Sequence, residues 1–217
     1  MDTGLVVGQI ITADGAKPVA RGGRLGDTIV SELHGRFYEQ TFRQNIFSLT
    51  LTATTTGVAA GNINAAAAAA STQFALWNPP SSKVNVVLLK AYVGVISGTV
   101  PGGPLFHNLM LNVAPTINSV GTAYNNFANG QSPQARFVSS AAGTALTGGG
   151  AITVLRPFGG ANFFAAAVGG TTPQVAVMEL IDGDIVLPPG TGWVPCWPSA
   201  GTSVLNTYGV TWEEVPQ

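Results

Sequence analysis

Hydrophobic and polar residues alternate with a period of two along much of this chain, which is the pattern of half-buried β-strands. Phe47, Leu49 and Leu51 alternate with Ser and Thr, and residues 73–78 repeat the pattern. Seven to nine strands are predicted. The main candidates are residues 47–52, 73–78, 84–97, 105–113, 151–155, 174–181, 184–187 and 203–215.

Turn-forming residues separate these strands and indicate how the fold closes. Asp182 and Gly183 form a predicted tight turn, which is followed by a short strand, a Pro-Pro-Gly turn and a terminal strand. A terminal strand that returns through the centre of a sheet is typical of Greek-key sandwiches. We therefore predict an all-β fold, a jelly-roll-like β-sandwich over residues 46–217, with an extended N-terminal arm over residues 1–45.

The N-terminal arm differs from the rest because it holds ten of the 19 charged residues. Glu39 and Arg43 have the i, i+4 spacing that stabilises a helix. The same region also alternates as a strand from Gly35 to Phe42, and both assignments stay open. The arm is either a solvated extension or a segment that docks onto a neighbour. In the second case, Arg36, Tyr38 and Arg43 are candidate interface residues.

The middle of the chain carries almost no charge. No Asp or Glu occurs between Glu39 and Glu179, and residues 46–178 carry only four basic side chains. General acid–base catalysis needs titratable groups, and nucleic-acid binding needs clustered Lys and Arg. The composition therefore predicts neither an enzyme nor a nucleic-acid-binding protein. A surface with so little charge is instead suited to being covered by neighbouring molecules.

Isolated motifs with catalytic potential do not change this interpretation. Asp2-Thr3-Gly4 matches the aspartic protease triplet, but that chemistry needs a carboxylate at the end of an inner strand, paired with a second one. His34 and His107 have no acidic or thiol cluster near them in sequence. Asp182 and Asp184 are interpreted as turn residues rather than as calcium ligands. We predict no catalytic residue, metal site or cofactor.

Cysteine usage and hydropathy bear on the compartment. Cys196 is the only cysteine, so no internal disulfide can form, and we interpret it as a small apolar residue. The first residues lack the basic and apolar regions of a secretory signal, and the apolar run Val84–Ile96 is too short to span a bilayer. We expect synthesis in the cytoplasm and no membrane partner.

The four tryptophans divide into two groups. Trp193 and Trp197 flank Pro195 and Cys196 in a predicted loop. If exposed, this pair would be an interface anchor or a carbohydrate platform, and the alternative is packing over the end of the sandwich. The other two tryptophans, Trp77 and Trp212, lie on predicted strands, where burial in the core is expected.

Three segments resemble small structural proteins of tailed bacteriophages. They are residues 31–40 (SELHGRFYEQ), residues 74–79 (FALWNP) and residues 209–216 (GVTWEEVP). The resemblance implies a head decoration or cement protein with a jelly-roll fold, commonly trimeric, which sits on the capsid and bridges its major shell subunits. It implies no set of functional residues.

Composition and resemblance together predict a non-enzymatic virion component on the surface of a phage head. Its expected partners are the major capsid protein and further copies of itself in a homotrimer. The alternative is a receptor- or glycan-binding module of a tail or head fibre. In that case Trp193, Trp197 and the loop Asn118–Gly130 would be the contacts.

Overall fold

A computed structural model describes residues 35–50, 58–59, 74–99, 104–111, 123–139, 152–159, 176–198 and 202–217 of this chain. These residues form one short helix and twelve strands. The elements are α1 (Tyr38–Phe42), β1 (Ile46–Thr50), β2 (Val58–Ala59), β3 (Phe74–Asn78), β4 (Val84–Thr99), β5 (Phe106–Leu111), β6 (Tyr124–Asn125), β7 (Arg136–Ser139), β8 (Ile152–Pro157), β9 (Ala176–Leu180), β10 (Val186–Leu187), β11 (Thr191–Cys196) and β12 (Thr202–Pro216).

The strands form two antiparallel sheets. Sheet 1 has the order β10-β4-β12-β1-β6, with β9 also paired to β4 and β2 to β12. Sheet 2 has the order β7-β3-β11-β5-β8. Since β9 and β10 pair with successive parts of β4, they act as one interrupted edge strand.

Strand pairing follows a nested order along the chain. Strand β1 pairs with β12, β3 with β11, β4 with β9 and β10, and β5 with β8. Counting β9 and β10 as one, the first of eight main strands pairs with the last, the second with the seventh, and so on inward. This nesting results when one long antiparallel hairpin rolls up into two packed sheets, which is the jelly roll. The predicted jelly-roll-like sandwich is confirmed, and β12 lies inside sheet 1 between β4 and β1.

Large aromatic side chains fill the space between the sheets. Phe74 of sheet 2 stacks on Tyr208 of sheet 1 with ring centroids 4.8 Å apart, and it meets Trp193 edge-on at 6.0 Å. Phe47 stacks on Trp212 at 5.8 Å. Full burial of a large apolar side chain contributes about 1.5–3 kcal/mol, so these contacts are a main source of stability. The predicted core position of Trp212 is confirmed.

The centre of sheet 2, at strands β3 and β11, is buried on both faces. Every residue of β3 is buried, although its sequence pattern predicts a half-buried strand. Its side chains alternate between the central core and a second apolar cluster on the other face of the sheet. That cluster contains Ala75, Trp77, Met110, Val194 and Cys196.

Strand β11 occupies a place that the sequence analysis assigned to a loop. It lies at the centre of sheet 2 between β3 and β5, so the loop prediction for Trp193 and its neighbours is wrong. Pro195 suggested a break because proline lacks the N–H that a ladder needs. In the structure, pairing with β3 ends at Trp193, and only β5 continues alongside Pro195. A central strand therefore tolerates the proline.

The turn predicted at Asp182 and Gly183 is confirmed. Both residues have positive φ angles, 53° and 93°, as a tight turn of this sequence requires. The amides of Ile181 and Asp182 both donate to the Leu89 carbonyl, at 2.8 and 3.0 Å. The turn thus keeps the interrupted edge strand attached to β4 between β9 and β10.

The chain divides into two compact units, Met1–Glu39 and Gln40–Gln217. In the first unit, the described residues form a turn in which the Tyr38 amide donates to the Gly35 carbonyl at 2.9 Å. The helix that begins at Tyr38 decides between the two assignments left open for this region. The rest of the arm, the alanine run Ala65–Ala70 and the triple glycine Gly148–Gly150 lie outside the described residues.

Candidate functional site

A buried carboxylate links the two sheets along one side of the sandwich. Glu179 lies on edge strand β9 and faces inward, while its neighbours Met178 and Leu180 face outward. The Glu179 carboxylate interacts with Nε2 of His107 at 2.9 Å and accepts from Nη1 of Arg156 at 2.5 Å. Because His107 lies on β5 and Arg156 on β8, this one side chain of sheet 1 holds two strands of sheet 2.

The hydrogen bonds define the tautomer of His107. Nε1 of Trp193 lies 3.0 Å from Nδ1 of His107, and an indole N–H can only donate. Nδ1 is therefore an acceptor, and the ring proton sits on Nε2, which donates to Glu179. Phe158 stacks on the imidazole face with ring centroids 3.7 Å apart. With both nitrogens occupied, the ring has no lone pair to offer a metal ion or a substrate proton.

The two titratable groups are held in the charge states that this network needs. Burial lowers the pKa of His107, although the hydrogen bond and the charge of Glu179 oppose this effect. Burial alone would raise the pKa of Glu179, but hydrogen bonds from His107, Arg156 and the Gly159 amide hold it below its ordinary value. The histidine is therefore neutral and the carboxylate ionised, which makes the network a cross-link rather than an acid–base pair.

The described residues contain no cluster of potential metal ligands. Among them, no three His, Cys, Asp or Glu side chains lie close enough together to hold a metal ion. Cys196 is buried in the second apolar cluster, on the face of sheet 2 away from His107, and burial raises the pKa of its thiol. Its interpretation as a small apolar residue agrees with this position.

The outer side of the same region is an exposed apolar surface, which we call the apolar flank. Strands β8 and β9–β10 are neighbouring edges of the two sheets, joined by the contact between Arg156 and Glu179. Met178 is 67% exposed and Leu180 is 64% exposed. Long strand edges with apolar side chains are sites of association in proteins. The apolar flank consists of Met178, Leu180 and Val186, which share the outer face of sheet 1 along this edge.

Trp193 and Trp197 are not on the surface. Both indole side chains are fully buried and belong to the core between the sheets. The prediction that they form a contact surface is therefore wrong, and the packing alternative agrees with the structure. The physical reason is that Trp193 lies on a strand whose inner face it shares with the core, rather than in a loop.

The other predicted interface residues are Arg36, Tyr38 and Arg43, and all three are exposed. Arg36 and Tyr38 belong to the first unit and Arg43 to the second. The Arg36 guanidinium lies 5.3 Å from the centroid of the Phe37 ring. Their role in an interface stays a prediction. His34 lies outside the described residues.

Sequence reasoning missed the network around Glu179. His107 and Glu179 are 72 positions apart, so no local pattern joins them. One signal was available: Glu179 is the first acid after a long acid-free stretch, and it has the same parity as Val177 on a predicted strand. An acid at an inward position of a strand must find buried partners.

Comparisons with protein-family models, curated proteins and solved structures find no match to this chain. The described part of the chain contains no helix with the length and apolar character needed to cross a membrane. The fold and the surface geometry therefore carry the functional argument.

Proposed function

We propose that this protein is a non-enzymatic structural component of a virion, a decoration or cement protein on the head of a tailed bacteriophage. It binds the assembled shell and stabilises it by bridging neighbouring major capsid subunits, with further copies of itself in a homotrimer. The observation that supports the proposal is the apolar flank, where three exposed apolar side chains line an edge strand of sheet 1 on a charge-poor body.

The apolar flank combines two kinds of attraction. Among the described residues, β9 and β10 bond only to β4, and β8 bonds only to β5, so their outer backbone groups remain available to a partner chain. Covering the apolar side chains removes them from water at about 25 cal/mol per Å². The cross-link at Glu179 holds the two edges together, so the surface is pre-organised for binding.

A lattice of capsid subunits strengthens weak unit contacts. When several copies of a trimer engage neighbouring subunits at once, the later contacts are effectively intramolecular and the overall affinity rises. The sparse charge of residues 46–178 supports this, because crowded copies repel one another little. The charged N-terminal arm then reaches an adjacent capsomer in this proposal.

The test is a head-binding assay with a matched pair of variants. In the double variant Met178→Asp, Leu180→Asp, two carboxylates replace apolar contacts on the flank. The control is Tyr124→Asp, since Tyr124 is 69% exposed and lies on β6, at the opposite edge of sheet 1. We expect the double variant to bind phage heads at least about tenfold more weakly, and the control to bind like the parent.

Two further measurements complete the test. Analytical ultracentrifugation of the full chain should show a trimer, and deletion of residues 1–30 should reduce the occupancy or the heat resistance of decorated heads. A monomeric protein with no affinity for any head would overturn the proposal.

A further inference from the structure

A cleft of about 360 Å³ lies at one end of the sandwich, and its lining residues include none of the apolar flank. Most of its lining side chains are amides or hydroxyls, with one cation, Lys83, and one carboxylate, Glu214. A volume of this size is within the range of small-molecule sites. We call it the end cleft, and its lining residues are Asn45, Ser81, Lys83, Val84, Gln131, Ser132, Gln134, Glu214 and Pro216.

Glu214 forms a rigid part of the lining. Its carboxylate accepts from the backbone amides of Gln134 and Ala135, at 2.9 and 2.8 Å, and from Nε1 of Trp212 at 3.3 Å. An ionised carboxylate has about four acceptor positions, so one remains for a hydroxyl group of a ligand. The bonded amides offset much of its charge, and Lys83 supplies the opposite sign.

The loop beside the end cleft is held by Gln44, which has a left-handed backbone. Its φ is 64°, where glycine usually ends a helix, and its amide donates to the Thr41 carbonyl at 2.9 Å. Its side-chain Oε1 accepts from the Gln131 amide at 3.1 Å, and its carbonyl accepts from Nδ2 of Asn125 at 2.8 Å. Strained residues of this kind cluster at functional sites, where they pre-organise a loop.

Two exposed aromatic rings belong to the two chain segments that contribute Asn45 and Gln131 to the lining. Phe42 is 61% exposed and Phe127 is 37% exposed, and their centroids are 6.1 Å apart in an edge-to-face arrangement. Phe42 precedes Asn45 by three positions, and Phe127 precedes Gln131 by four. The hydrogen bonds of Gln44 to Asn125 and Gln131 tie the segment that carries Phe42 to the loop that carries Phe127.

From this combination we infer that the end cleft binds a neutral saccharide. Side-chain amides and hydroxyls both donate and accept, as sugar hydroxyls do, so the two match pairwise. An exposed aromatic ring provides a flat apolar face for the C–H side of a pyranose. The opposite charges of Lys83 and Glu214 cancel, which favours a neutral ligand over an ionic one. This site uses none of the residues of the apolar flank.

Nuclear magnetic resonance of the full chain provides a direct test with an internal control. The indole N–H of Trp212 bonds to Glu214 in the end cleft, whereas the indole N–H of Trp193 bonds to His107 in the core. A library of neutral mono- and oligosaccharides is the probe. Binding should shift the Trp212 indole signal and the amides of Gln131 and Gln134, and leave the Trp193 signal unchanged.

Variants identify the contacts. Phe127→Ala removes one ring, and Gln131→Ala removes a side-chain amide while its backbone bond to Gln44 remains. We expect each to weaken saccharide binding at least about fivefold, with Leu180→Ala on the apolar flank as the unchanged control. Thermal unfolding should show that Gln131→Ala keeps the parent stability, which separates lost contacts from lost folding.

Free sugars and cell-surface glycans share this chemistry, so the assay includes both soluble oligosaccharides and immobilised surface polysaccharide. Binding of either class, together with a shift of the Trp212 indole signal, supports the inference. Which of the two classes binds identifies the source of the ligand. The inference is wrong if no saccharide shifts Trp212 at concentrations up to about 10 mM, or if binding is indifferent to both variants.

Discussion

The two sheets of this sandwich have the same architecture but different surroundings. In sheet 1, strand β1 buries Phe47 and Leu49 and directs Ser48 and Thr50 away from the core. In sheet 2, strand β3 is buried on both faces. The centre of sheet 2 thus acts as an internal layer, whereas its edge strand β8 is exposed to solvent, as are the outer face and the edge strand β9 of sheet 1. Surface functions of the described body are therefore concentrated on sheet 1 and on the edges and ends of the sandwich.

The largest expected effect comes from Trp193, which belongs both to the aromatic core and to the hydrogen-bond network around Glu179. Trp193→Ala removes an indole that packs against Phe74 and donates to His107. We expect a loss of about 3–5 kcal/mol in the free energy of unfolding, measured by urea titration. Tyr124→Ala, at an exposed position, should change it by less than about 0.5 kcal/mol. A loss below about 1 kcal/mol for Trp193→Ala would contradict the core assignment.

A matched pair of methionines tests the difference between the sheets directly. Met110 is buried on the far face of sheet 2, and Met178 is exposed on the outer face of sheet 1. Met110→Ala should cost about 2–4 kcal/mol in unfolding free energy, because it leaves a cavity. Met178→Ala should cost less than about 0.5 kcal/mol. Equal losses would show that the two sheets are not buried as described.

Weakening the Glu179 contacts between the sheets should have an intermediate effect on the free energy of unfolding. Glu179→Gln keeps the shape of the side chain but removes the charge that Arg156 and His107 contact, and we expect a loss of about 2 kcal/mol at neutral pH. Chemical denaturation measures the change. Arg156→Lys is the companion variant, since it keeps the charge but loses the planar guanidinium, and it should cost less.

The same link predicts how stability depends on pH. The pKa of His107 is lowered from its ordinary 6.5 and that of Glu179 from 4.5, so in both cases the unfolded chain binds protons more readily than the folded one. The contribution of this network to stability therefore rises with pH in those ranges. This contribution should be fully present above about pH 6.5. It should decline as the pH falls, first as His107 is protonated and then as Glu179 is protonated. In Glu179→Gln, the second part of the decline should be smaller when denaturation midpoints are compared across pH.

The smallest expected effect concerns the second apolar cluster. Cys196→Ser places a hydroxyl in an apolar site and should cost about 1–2 kcal/mol in unfolding free energy. In the native protein, a thiol reagent should label Cys196 far more slowly than in the unfolded chain, because the sulfur is buried and its pKa is raised. Rapid labelling of the folded protein would contradict the closed outer face of sheet 2.

The sequence predicts strand β1 better than strand β11 for a physical reason. Where one face of a strand meets the core and the other meets water, as at Phe47 and Ser48, apolar and polar residues alternate visibly. Where both faces are buried, as around Trp193 and Val194, the alternation disappears, and the prolines and glycines nearby suggested a loop. The candidate sites could not be predicted from local patterns either. His107 contacts Glu179, and Gln44 contacts Gln131, only because the fold brings these distant residues together.

Local properties of the chain determined the all-β class, the turn at Asp182 and Gly183, and the charge-poor character of the middle. These depend on neighbouring residues, so the sequence states them directly. Tertiary structure alone decided that the two tryptophans of the predicted loop are buried, that one carboxylate joins the sheets, and that exposed apolar side chains line one edge of sheet 1. These depend on strand pairing between distant segments, where many arrangements satisfy the same local pattern and packing selects one.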